Sequence, residues 1–406
     1  MRVAYLVSKY PAVSHTFILR EVRALRELGV EVDTISVRRA QPSDARSAVD
    51  REELASTTWL LPLSIGRALG LLVTIASRPG AALRHLRRAL GHANPGIRAK
   101  TWQVFYAVEA LLLHRLLDRR GITHVHVHFA NVAADVARLA TAYGRDLGRH
   151  RSWSFTMHGP IEFDDVTYWG LPGKAADADL VVCISDFCRS QLMAITDESR
   201  WSRFEVVRCG VDPARFALTE RAGGRDALDV LCVAQLLPRK GQRVLLEAVA
   251  LLRDRGVDVR VTLAGDGPDR PAVERALEEL GLHDRVKLLG AFGQDELGGL
   301  LAAADVFCLP SFAEGVPVSL MEAMASGLPV VTTPIAGIPE LVDASSGVLV
   351  PPGRADLLAD ALADLAADPE RRARLGRAGR AKVEAEYAAL PNARRLHDLL
   401  SRTVSR

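Results

Sequence analysis

Cysteine is scarce in this 406-residue sequence, and its cysteines form no C-x-x-C pair. Most of them lie in short apolar runs that are typical of strands, which predicts buried, reduced thiols rather than a disulfide framework or a zinc site. Reduced thiols are usual in the cytoplasm, so we expect a cytoplasmic protein that at most touches the inner face of the plasma membrane. The five cysteines are Cys183, Cys188, Cys209, Cys232 and Cys308.

Long hydrophobic runs are also missing. Residues 1–8 are too short for a signal peptide and are typical of a first strand. Residues 59–76 form the best candidate for a membrane span, but Pro62, Gly66 and Arg67 interrupt a stretch that is already near the lower length limit. The sequence therefore predicts no transmembrane helix.

A large charge imbalance is absent as well. The formal net charge is +3, which is too small to indicate nucleic acid as a partner. Hydrophobic residues make up 49% and charged residues 25% of the chain, which is a globular composition. The chain is too long for a single core, so two domains of about 200 residues each are expected.

What is present is an alternation of short β-branched runs with amphipathic helical stretches, repeated in two series. This alternation predicts an α/β protein with two doubly wound, Rossmann-like domains that bind ligands at the carboxyl ends of parallel strands. The predicted strands are 3–8, 30–37, 125–129, 153–157, 180–185 and 204–209 in the first series, and 230–234, 259–264, 286–289, 306–310, 330–333 and 348–350 in the second.

A polar segment with two adjacent glycines separates the two series and predicts the interdomain linker. The expected division is a first domain (1–212), the linker (213–226), a second domain (227–388) and a C-terminal helix (389–406) that packs back on the first domain. Two such domains facing each other would bring the carboxyl ends of both sheets to one cleft.

Two glutamates with seven residues between them, Glu314 and Glu322, form the strongest motif. A glycine and a proline follow Glu314 and exclude helix there, so Glu314 lies on a loop just beyond a predicted strand. Helix is predicted from about Ser319 onward, and a helix N-terminus at the carboxyl end of a strand is a natural diphosphate site. Ser319 and Glu322 also match a capping box, which is an ordinary explanation for Glu322 but not for Glu314.

Glu314 has a chemistry that suits a sugar substrate. A carboxylate accepts hydrogen bonds from sugar hydroxyls, and near an anomeric carbon it stabilises the positive charge that develops as a leaving group departs. Lys240 lies in residues 235–241, just before a predicted helix, where its ammonium can reach a phosphate. Gly265 and Gly267 let backbone approach a ligand closely, although a plain strand–turn–helix connection explains them equally well.

Four segments of the second domain together resemble the donor domain of retaining GT-B glycosyltransferases, the large fourth sequence family, also called group 1; they are 235–241, 264–268, 314–325 and 337–340. Residues 10–17, 127–129 and 156–159 are further similar to members that act in exopolysaccharide assembly, such as colanic-acid-type transferases. The resemblance implies a GT-B architecture, with an acceptor-binding first domain and a donor-binding second domain. It implies retaining, metal-independent transfer of a hexose-type sugar without a cofactor. The implied donor is a UDP- or GDP-sugar, and the implied acceptor is a glycan or a polyprenyl-diphosphate-linked oligosaccharide.

The resemblance also implies residue roles. Glu314 contacts the transferred sugar and His158 lies near it, so these two are the catalytic candidates. Glu322 holds the ribose hydroxyls, and Lys240 binds the diphosphate. The donor-binding set is Lys240, Arg239, Gln235, Glu322, Gly315, Val318, Ser319, Gly265 and Gly267, and the acceptor-side set is Ser14, Thr16 and His128.

One position departs from the family pattern. Relatives usually carry an arginine five residues before the lysine, where this chain has Gln235. A neutral amide can bind a phosphate but supplies no charge, and Arg239 is the candidate to supply it instead.

Three histidines, His124, His126 and His128, alternate in a predicted strand and therefore share one face, a geometry that can bind zinc. No carboxylate or cysteine of matching spacing accompanies them, so we expect no metal there. His128 is at the carboxyl end of the strand and is expected to line the acceptor side. A lone histidine such as His158 is more often structural, but the resemblance favours function.

Residues 59–120 hold ten basic groups against two acidic ones. Between 83 and 90, arginines and leucines alternate in a basic amphipathic pattern. A solvated helical face over a small core explains this pattern. The alternative is a surface that approaches anionic lipid or a lipid-diphosphate acceptor.

Two other classes of function stay open. An isomerase or hydrolase of nucleotide sugars would share this architecture, but it needs a proton-abstracting or water-activating pair that the sequence does not show. A non-catalytic subunit of a polysaccharide assembly complex is suggested by Gln235 and by the basic segment 59–120. The pair of Glu314 and Glu322 argues against that interpretation.

Overall fold

The structure is a computed structural model, which describes residues 1–12, 15–45, 47–218 and 227–405. The chain divides into two compact units. The first unit is Met1–Arg208 together with Ala393–Arg406, and the second unit is Cys209–Asn392. The sequence places the end of the first domain at 212. Most of the expected linker, 219–226, lies outside the described residues.

The first unit contains a parallel sheet whose strands, in chain order, are β1 (Arg2–Lys9), β2 (Glu31–Arg38), β3 (Thr58–Trp59), β4 (His124–His128), β5 (Ser152–Met157), β6 (Leu180–Cys183) and β7 (Phe204–Val206). Their order across the sheet is β3-β2-β1-β4-β5-β6-β7. The order reverses between β1 and β4, and doubly wound sheets bind ligands at the carboxyl ends of the strands at such a switch point.

Helices cover the sheet of the first unit. The apolar positions predicted for the first helix, Ile18, Val22 and Leu25, are all buried against the sheet side. The helices are α1 (Thr16–Glu27), α2 (Ala48–Ser56), α3 (Ile65–Ser77), α4 (Pro79–Gly91), α5 (Ile97–Arg120), α6 (Val132–Asp146), α7 (Ile161–Asp164), α8 (Leu171–Asp177) and α9 (Asp186–Ala194), with short 3-10 turns at Pro42–Asp44 and Glu198–Arg203.

The second unit repeats the plan with a parallel sheet of β8 (Leu228–Val233), β9 (Val259–Ala264), β10 (Val286–Gly290), β11 (Val306–Leu309), β12 (Val330–Thr332) and β13 (Gly347–Leu349). The order is β10-β9-β8-β11-β12-β13, so the switch point lies between β8 and β11. Its helices are α10 (Gln242–Asp254), α11 (Arg270–Leu280), α12 (Leu297–Ala303), α13 (Val318–Ala325), α14 (Ile338–Leu341), α15 (Ala355–Ala367) and α16 (Pro369–Glu386), with 3-10 turns at Pro213–Arg215 and Pro238–Lys240.

The last helix, α17 (Ala389–Val404), carries the chain back into the first unit, to which it belongs from Ala393 onward. Leu396 and Leu400 are fully buried on its apolar face. Its far end is tied to the N-terminus, because the Ser401 hydroxyl lies 3.6 Å from the Met1 sulfur.

Every strand that the sequence predicts has a counterpart in the described part of the chain, with ends that differ by a few residues at most. Only β3 was not predicted. It has two residues, too few for the period-2 alternation on which the prediction of strands depends. The predicted fold class, two parallel-sheet α/β domains, is confirmed.

Residues 59–120 form three helices, α3 to α5, after the short β3. Within the described residues, no helix is both long enough and apolar enough to cross a membrane. The sequence suggests that the leucines of α4 face a core, but Leu83 and Leu86 are exposed. The buried face of α4 consists instead of Ala81, His85 and Ala89, and His85 Nε2 lies 3.0 Å from the Ala107 carbonyl oxygen of α5.

Candidate active site

The carboxyl ends of β8 and β11 form the switch point of the second unit. Residues 235–241 follow β8, and residues 310–317 follow β11. The Phe312 N–H donates to the Arg239 carbonyl at 2.7 Å, so a backbone hydrogen bond joins these two loops. Motifs that are far apart in the sequence therefore lie side by side at the edge where a doubly wound sheet binds its ligand.

Lys240 and Glu314 form an ion pair between the two loops, with 2.6 Å from Nζ to Oε1. The same oxygen accepts a hydrogen bond from the Ser311 hydroxyl at 2.8 Å. Glu314 is 7% exposed, and the Lys240 side chain is 16% exposed. Because shelter from water strengthens a charge pair, the two contacts hold the carboxylate in one orientation.

Helix α13 begins directly after this loop, with Pro317 as its N-cap and Val318 as its first residue. The first N–H groups of a helix have no carbonyl partner within it, and with the helix dipole they favour an anion. The backbone N–H groups of Val318 and Ser319 therefore lie at the helix start where the sequence predicts an anion, and the binding itself stays a prediction.

The predicted capping box of Ser319 and Glu322 is wrong. The helix starts one residue earlier than predicted, so Ser319 is its second residue and the N-cap position belongs to Pro317, whose side chain makes no capping hydrogen bond. Glu322 is buried within the helix, with 3% of its surface exposed. Helix capping therefore does not explain Glu322, and capping was the alternative to a functional role for this residue.

A third loop, which follows β12, braces the loop that carries Glu314. The Thr333 hydroxyl donates to the Ser311 carbonyl at 2.7 Å, and the Gly337 N–H donates to the Gly315 carbonyl at 3.2 Å. Ala336 between them has a φ of 46°, in the left-handed region that an alanine rarely adopts. Backbone strain of this kind persists where the surrounding contacts fix the chain, and it is concentrated at functional sites.

Gly265 and Gly267 serve the packing of loops. A Cβ on Gly265, whose φ is 145°, would lie 1.9 Å from the Ala234 carbonyl oxygen, and one on Gly267 would lie 2.3 Å from that of Leu236. The loop after β9 thus approaches the loop after β8 so closely that only glycine fits. Direct contact of these glycines with a ligand stays a prediction.

The two remaining donor-side candidates differ in exposure. Gln235 is exposed, and its backbone carbonyl accepts a hydrogen bond from the side-chain amide of Gln242 at 2.9 Å. Arg239 is half-buried and joins its loop to Phe312 through its carbonyl. Both residues lie on the loop of Lys240.

The carboxyl ends of β1 and β4 form the switch point of the first unit. His128 ends β4, and its Nδ1 lies 3.0 Å from Nε2 of His158, which follows β5. His158 is 7% exposed and His128 is wholly buried, with its ring in contact with His158. A place for His128 on the acceptor side stays a prediction. Thr16 is half-buried at the start of α1, and Ser14 lies outside the described residues.

Aromatic rings hold the ring of His158. The centroid of Phe17 lies 4.6 Å from that of His158, and the centroid of Phe129 lies 4.7 Å from it. Phe129 has a φ of 72°, which is an unusual conformation for an aromatic residue and indicates a local constraint at the end of β4. Burial lowers the pKa of His158 well below its ordinary value, so the ring is neutral.

His124 and His126 are satisfied by hydroxyl groups of β5. The ring nitrogens of His124 lie 2.7 Å from the oxygens of Ser152 and Ser154. Those of His126 lie 2.8 Å from Ser154 and 2.9 Å from Thr156. Burial lowers the pKa of His124 to about 3 and holds that of His126 well below its usual range, so both rings are neutral.

One group in the described part of the chain has the composition of a metal site. Ligand atoms of Glu21, His126 and His128 lie within 4.8 Å of one another. The sequence spacing did not reveal Glu21, because this carboxylate comes from α1 rather than from the strand. Both nitrogens of His126 already contact hydroxyls, so metal binding would break one of these contacts. The expectation of no metal stays a prediction.

Comparison with known proteins identifies the family. A family model described as "Glycosyl transferases group 1" matches residues 222–382. The amylovoran biosynthesis glycosyltransferase AmsK of Erwinia amylovora is 30% identical over 423 residues, which cover 99% of this chain and 100% of AmsK. The chain belongs to the group 1 glycosyltransferases.

A second relative extends the comparison, and solved structures agree on the fold. The GDP-mannose-dependent alpha-(1-6)-phosphatidylinositol monomannoside mannosyltransferase of Mycolicibacterium smegmatis is 34% identical over 55% of this chain and 63% of its own. HepE of Anabaena, solved in complex with UDP and glucose, matches with a TM-score of 0.76 at 18% identity over 99% of both chains. Sucrose-phosphate synthase of Thermosynechococcus elongatus matches with a TM-score of 0.75 at 20% identity over 100% of both chains. The fold is GT-B.

Sequence reasoning missed three polar residues of these sites, Ser311, Tyr5 and Glu21. Ser311 carried no motif, and its role depends on a hydrogen bond within its own loop. Glu21 gave a usable signal, because it lies three residues after Ile18 and therefore next to the buried stripe of α1. A carboxylate on a buried helical face indicates a specific polar partner, and here that partner is the Tyr5 hydroxyl at 2.8 Å.

Proposed function

We propose that this glycosyltransferase moves a hexose-type sugar from a nucleoside diphosphate to a glycan or polyprenyl-diphosphate-linked oligosaccharide, with retention of anomeric configuration and without a metal. The pathway is the biosynthesis of an exopolysaccharide or another cell-surface glycan, as the name of AmsK indicates for that relative. The observation that carries the proposal is the ion pair of Lys240 and Glu314 at the switch point, directly before the N-terminus of α13.

The diphosphate binds between Lys240 and the first turn of α13. Departure of a nucleoside diphosphate develops negative charge, and an ammonium together with helix N–H groups stabilises this charge without a metal ion. Arg239 adds a second positive charge in the place of the usual arginine, while Gln235 contributes a hydrogen bond. Glu322, whose burial is no longer explained by capping, holds the ribose hydroxyls.

Glu314 acts on the sugar. An arriving diphosphate competes with the carboxylate for the Lys240 ammonium, which frees Glu314 Oε1 to accept hydrogen bonds from sugar hydroxyls. Near the anomeric carbon the carboxylate stabilises oxocarbenium character as the bond to phosphate breaks. We assign retention to attack from the same face that the diphosphate leaves. The described residues of the site offer no second carboxylate that could attack the sugar as a nucleophile.

The donor is a UDP- or GDP-sugar. HepE was solved with UDP and with UDP-glucose, whereas the mycobacterial relative is named as GDP-mannose-dependent. Base recognition falls to the ends of β8 and β9, at 233–237 and 264–268. His158 contacts a sugar hydroxyl, and Thr16 and Ser14 belong to the acceptor side.

A membrane surface is the proposed location of the acceptor. Most of the exposed large hydrophobic side chains in the described chain lie in residues 59–120. We call this the α3–α5 surface, and its exposed residues include Ile65, Leu69, Leu72, Val73, Leu83, Leu86, Trp102 and Phe105 together with Arg78, Arg84, Arg87, Arg98 and Lys100. Exposed apolar groups beside arginines are the composition of a peripheral contact with anionic lipid, at the cytoplasmic side of the plasma membrane.

Nucleotide-induced thermal stabilisation tests the donor site. UDP, GDP, ADP and CMP are screened at equal concentration, and UDP or GDP is expected to raise the melting temperature of the second unit. Lys240→Met is the matched variant, which should lose the stabilisation by the diphosphate but keep any stabilisation by uridine or guanosine. Absence of a shift with all four nucleotides would remove the donor-site assignment.

Product analysis separates the rival functions. Transfer to an acceptor gives a product heavier by one hexose. An isomerase converts the nucleotide sugar in the absence of acceptor, a hydrolase releases free sugar, and a non-catalytic subunit binds nucleotide without turnover. Only the first outcome agrees with the proposal.

A further inference from the structure

A polar pocket lies in the first unit, at the edge of the sheet opposite its switch point. Its volume is about 280 Å³, and its walls come mainly from the last turns of α3, α5 and α6. Helices α5 and α6 end just before β4 and β5 begin, so the pocket lies at the amino ends of these strands. None of the residues assigned to the candidate active site lines it.

Three arginines line this pocket without an acidic partner, and we call the cavity the arginine pocket. They are Arg78, Arg115 and Arg119. Among the described residues, none of the three forms an ion pair. Asp118 is the acidic residue of the lining, and its carboxylate contacts Arg149 and Arg151 in the segment before β5. The positive charge of the three arginines is therefore uncompensated within the described part of the chain.

Helix α3 holds the guanidinium of Arg115 in place. Nη1 of Arg115 donates to the Thr74 hydroxyl at 2.5 Å, and this hydroxyl donates to the Gly70 carbonyl at 2.9 Å. A Cβ on Gly70 would lie 2.2 Å from Nη2 of Arg115, so the guanidinium occupies the space that a larger side chain on α3 would fill. The contact with Thr74 uses one of the five N–H donors of the guanidinium. An ordered guanidinium loses little conformational freedom when its other donors bind a ligand.

The inner wall of the arginine pocket carries unpaired polar groups. Tyr143 is wholly buried, and among the described residues its hydroxyl has no hydrogen-bond partner. Within the same part of the chain, Nδ1 of the buried His114 also has none. The two rings lie edge to face, with centroids 4.9 Å apart. Because native proteins pair nearly all of their buried polar groups, two unpaired ones beside three arginines indicate a ligand with polar atoms.

We propose that the arginine pocket binds a terminal phosphate group, either that of a phosphomonoester or free phosphate. A planar guanidinium matches two phosphate oxygens with two parallel N–H donors, and a terminal phosphate presents three oxygens to the three arginines. It also carries a charge of about −1.5 to −2 at pH 7, which suits several unpaired cations. The pocket is in the first unit and the donor site is in the second, so phosphate binding does not rest on the proposed function.

The arginine pocket adjoins the α3–α5 surface, which makes a lipid one source of the phosphate. Val73 lines the pocket and is 63% exposed on this surface, and Arg78 belongs to both. A lipid whose headgroup ends in a phosphate can bind the arginines while its apolar part contacts the exposed leucines of α3. Dissolved phosphate is the other source. Only the lipid source depends on the proposed membrane contact.

Thermal unfolding tests the binding of dissolved phosphate. The five tryptophans lie in the first unit, so their fluorescence reports this unit. At constant ionic strength, inorganic phosphate should raise its melting temperature. In Arg115→Met, and in Arg119→Met at an exposed position, the apparent affinity for phosphate should fall at least about tenfold, because a charged hydrogen bond is lost.

Two controls locate the effect in the arginine pocket. Arg87→Met removes an exposed charge from α4 that does not line the pocket, and it should keep the phosphate shift. Lys240→Met should keep the shift as well, because the donor site is in the second unit. If the wild type binds phosphate through Arg115 and Arg119 but binds no nucleotide, the pocket stands and the proposed function fails.

Vesicles of equal surface charge distinguish the two sources. Phosphatidic acid presents a phosphomonoester, whereas phosphatidylglycerol presents a phosphodiester. If the source is a lipid, the wild type and Arg87→Met should prefer phosphatidic acid about tenfold, and Arg119→Met should lose this preference. A phosphate shift without any lipid preference identifies dissolved phosphate as the source.

Two results overturn the proposal. One is the absence of both a phosphate shift and a preference for phosphatidic acid in the wild type. The other is a shift and a preference that both Arg115→Met and Arg119→Met retain at wild-type strength. In either case the three arginines would only compensate the partial negative charge at the C-termini of α3 and α5.

Discussion

Lys240 Nζ lies 2.6 Å from Glu314 Oε1, so the residue assigned to the diphosphate and the residue assigned to the sugar are direct partners. In the proposed reaction, the charges of Lys240 and Glu314 both lie near the bond that breaks. The pair keeps both side chains ordered before a substrate arrives, which lowers the conformational entropy that binding must remove.

Breaking this pair should cost stability, and restoring neutrality should recover it. Lys240→Met leaves a nearly buried carboxylate without its cation, and we expect a loss of about 3 kcal/mol in the free energy of unfolding of the second unit. Glu314→Gln added to Lys240→Met removes the uncompensated charge, so the double variant should be more stable than Lys240→Met alone. Calorimetry of the four proteins measures this cycle. Additive losses would show that the two residues do not interact.

Gly265→Ala should damage the second unit because its Cβ would lie 1.9 Å from the Ala234 carbonyl oxygen, at a φ that alanine rarely adopts. We expect a loss of about 2 kcal/mol or more and weaker nucleotide binding. Gly298→Ala in α12 is the matched control, since its Cβ would meet nothing within 4 Å and alanine favours helix. Equal melting temperatures for the two variants would contradict the packing role of Gly265.

His124 should make the first unit sensitive to acid. Burial lowers its pKa in the folded chain to about 3 from 6.5, so the unfolded chain binds the additional proton between these values. Its contribution to stability is therefore complete above about pH 6.5 and is lost as the pH falls. Relative to His124→Gln, the wild-type free energy of unfolding should decrease by about 1.4 kcal/mol per pH unit between about pH 6 and 4.

Tryptophan fluorescence reports the unfolding of the first unit selectively. All five tryptophans, Trp59, Trp102, Trp153, Trp169 and Trp201, lie in the first unit. Urea unfolding of the wild type and of His124→Gln, repeated across the acidic range, gives the two stability curves. Parallel curves would mean that His124 is not held neutral.

The α3–α5 surface should bind anionic vesicles. Leu69, Leu72 and Val73 lie on one face of α3 and are 59%, 62% and 63% exposed, so their replacement by glutamine should not disturb folding. The triple variant should bind vesicles that contain phosphatidylglycerol at least about tenfold more weakly, because about 1 kcal/mol or more is lost for each apolar side chain that no longer inserts. Leu218→Gln, at an equally exposed leucine outside this surface, is the control.

Co-sedimentation with vesicles distinguishes a specific contact with anionic lipid from nonspecific adsorption. Binding of the wild type should weaken with salt, because the arginines of the α3–α5 surface act through a screened attraction. Equal binding to neutral phosphatidylcholine vesicles, or equal binding of the triple variant, contradicts the membrane proposal.

The strands and the fold class could be predicted because β-branched runs and amphipathic stretches alternate regularly in this chain. The loop of Glu314 was equally clear, since a glycine and a proline exclude helix beside it. The contact with Lys240 was not predictable, because it depends on which strands become neighbours: β11 pairs with β8 only after the order of the sheet reverses. A linear sequence does not contain that order explicitly.

Two errors have local physical causes. The capping box failed because Pro317, which has its φ restricted by its ring, takes the N-cap position and moves Ser319 into the helix. The amphipathic pattern of α4 is interpreted from its leucines, whereas Ala81, His85 and Ala89 form its buried face. In the first unit, the sequence did not predict the contacts of Glu21 because its partners, Tyr5 and His128, come from two different strands.

Sugar transfer by the purified chain is the measurement that tests the central claim most directly. Mass spectrometry over a panel of UDP- and GDP-sugars, with lipid-linked oligosaccharides as acceptors, should detect a product heavier by one hexose for the wild type. Glu314→Gln should bind the nucleotide but transfer at least about 10³-fold more slowly, because the charge that stabilises the transition state is gone. Transfer by Glu314→Gln at the wild-type rate, or no transfer from any nucleotide sugar by the wild type, would contradict the account.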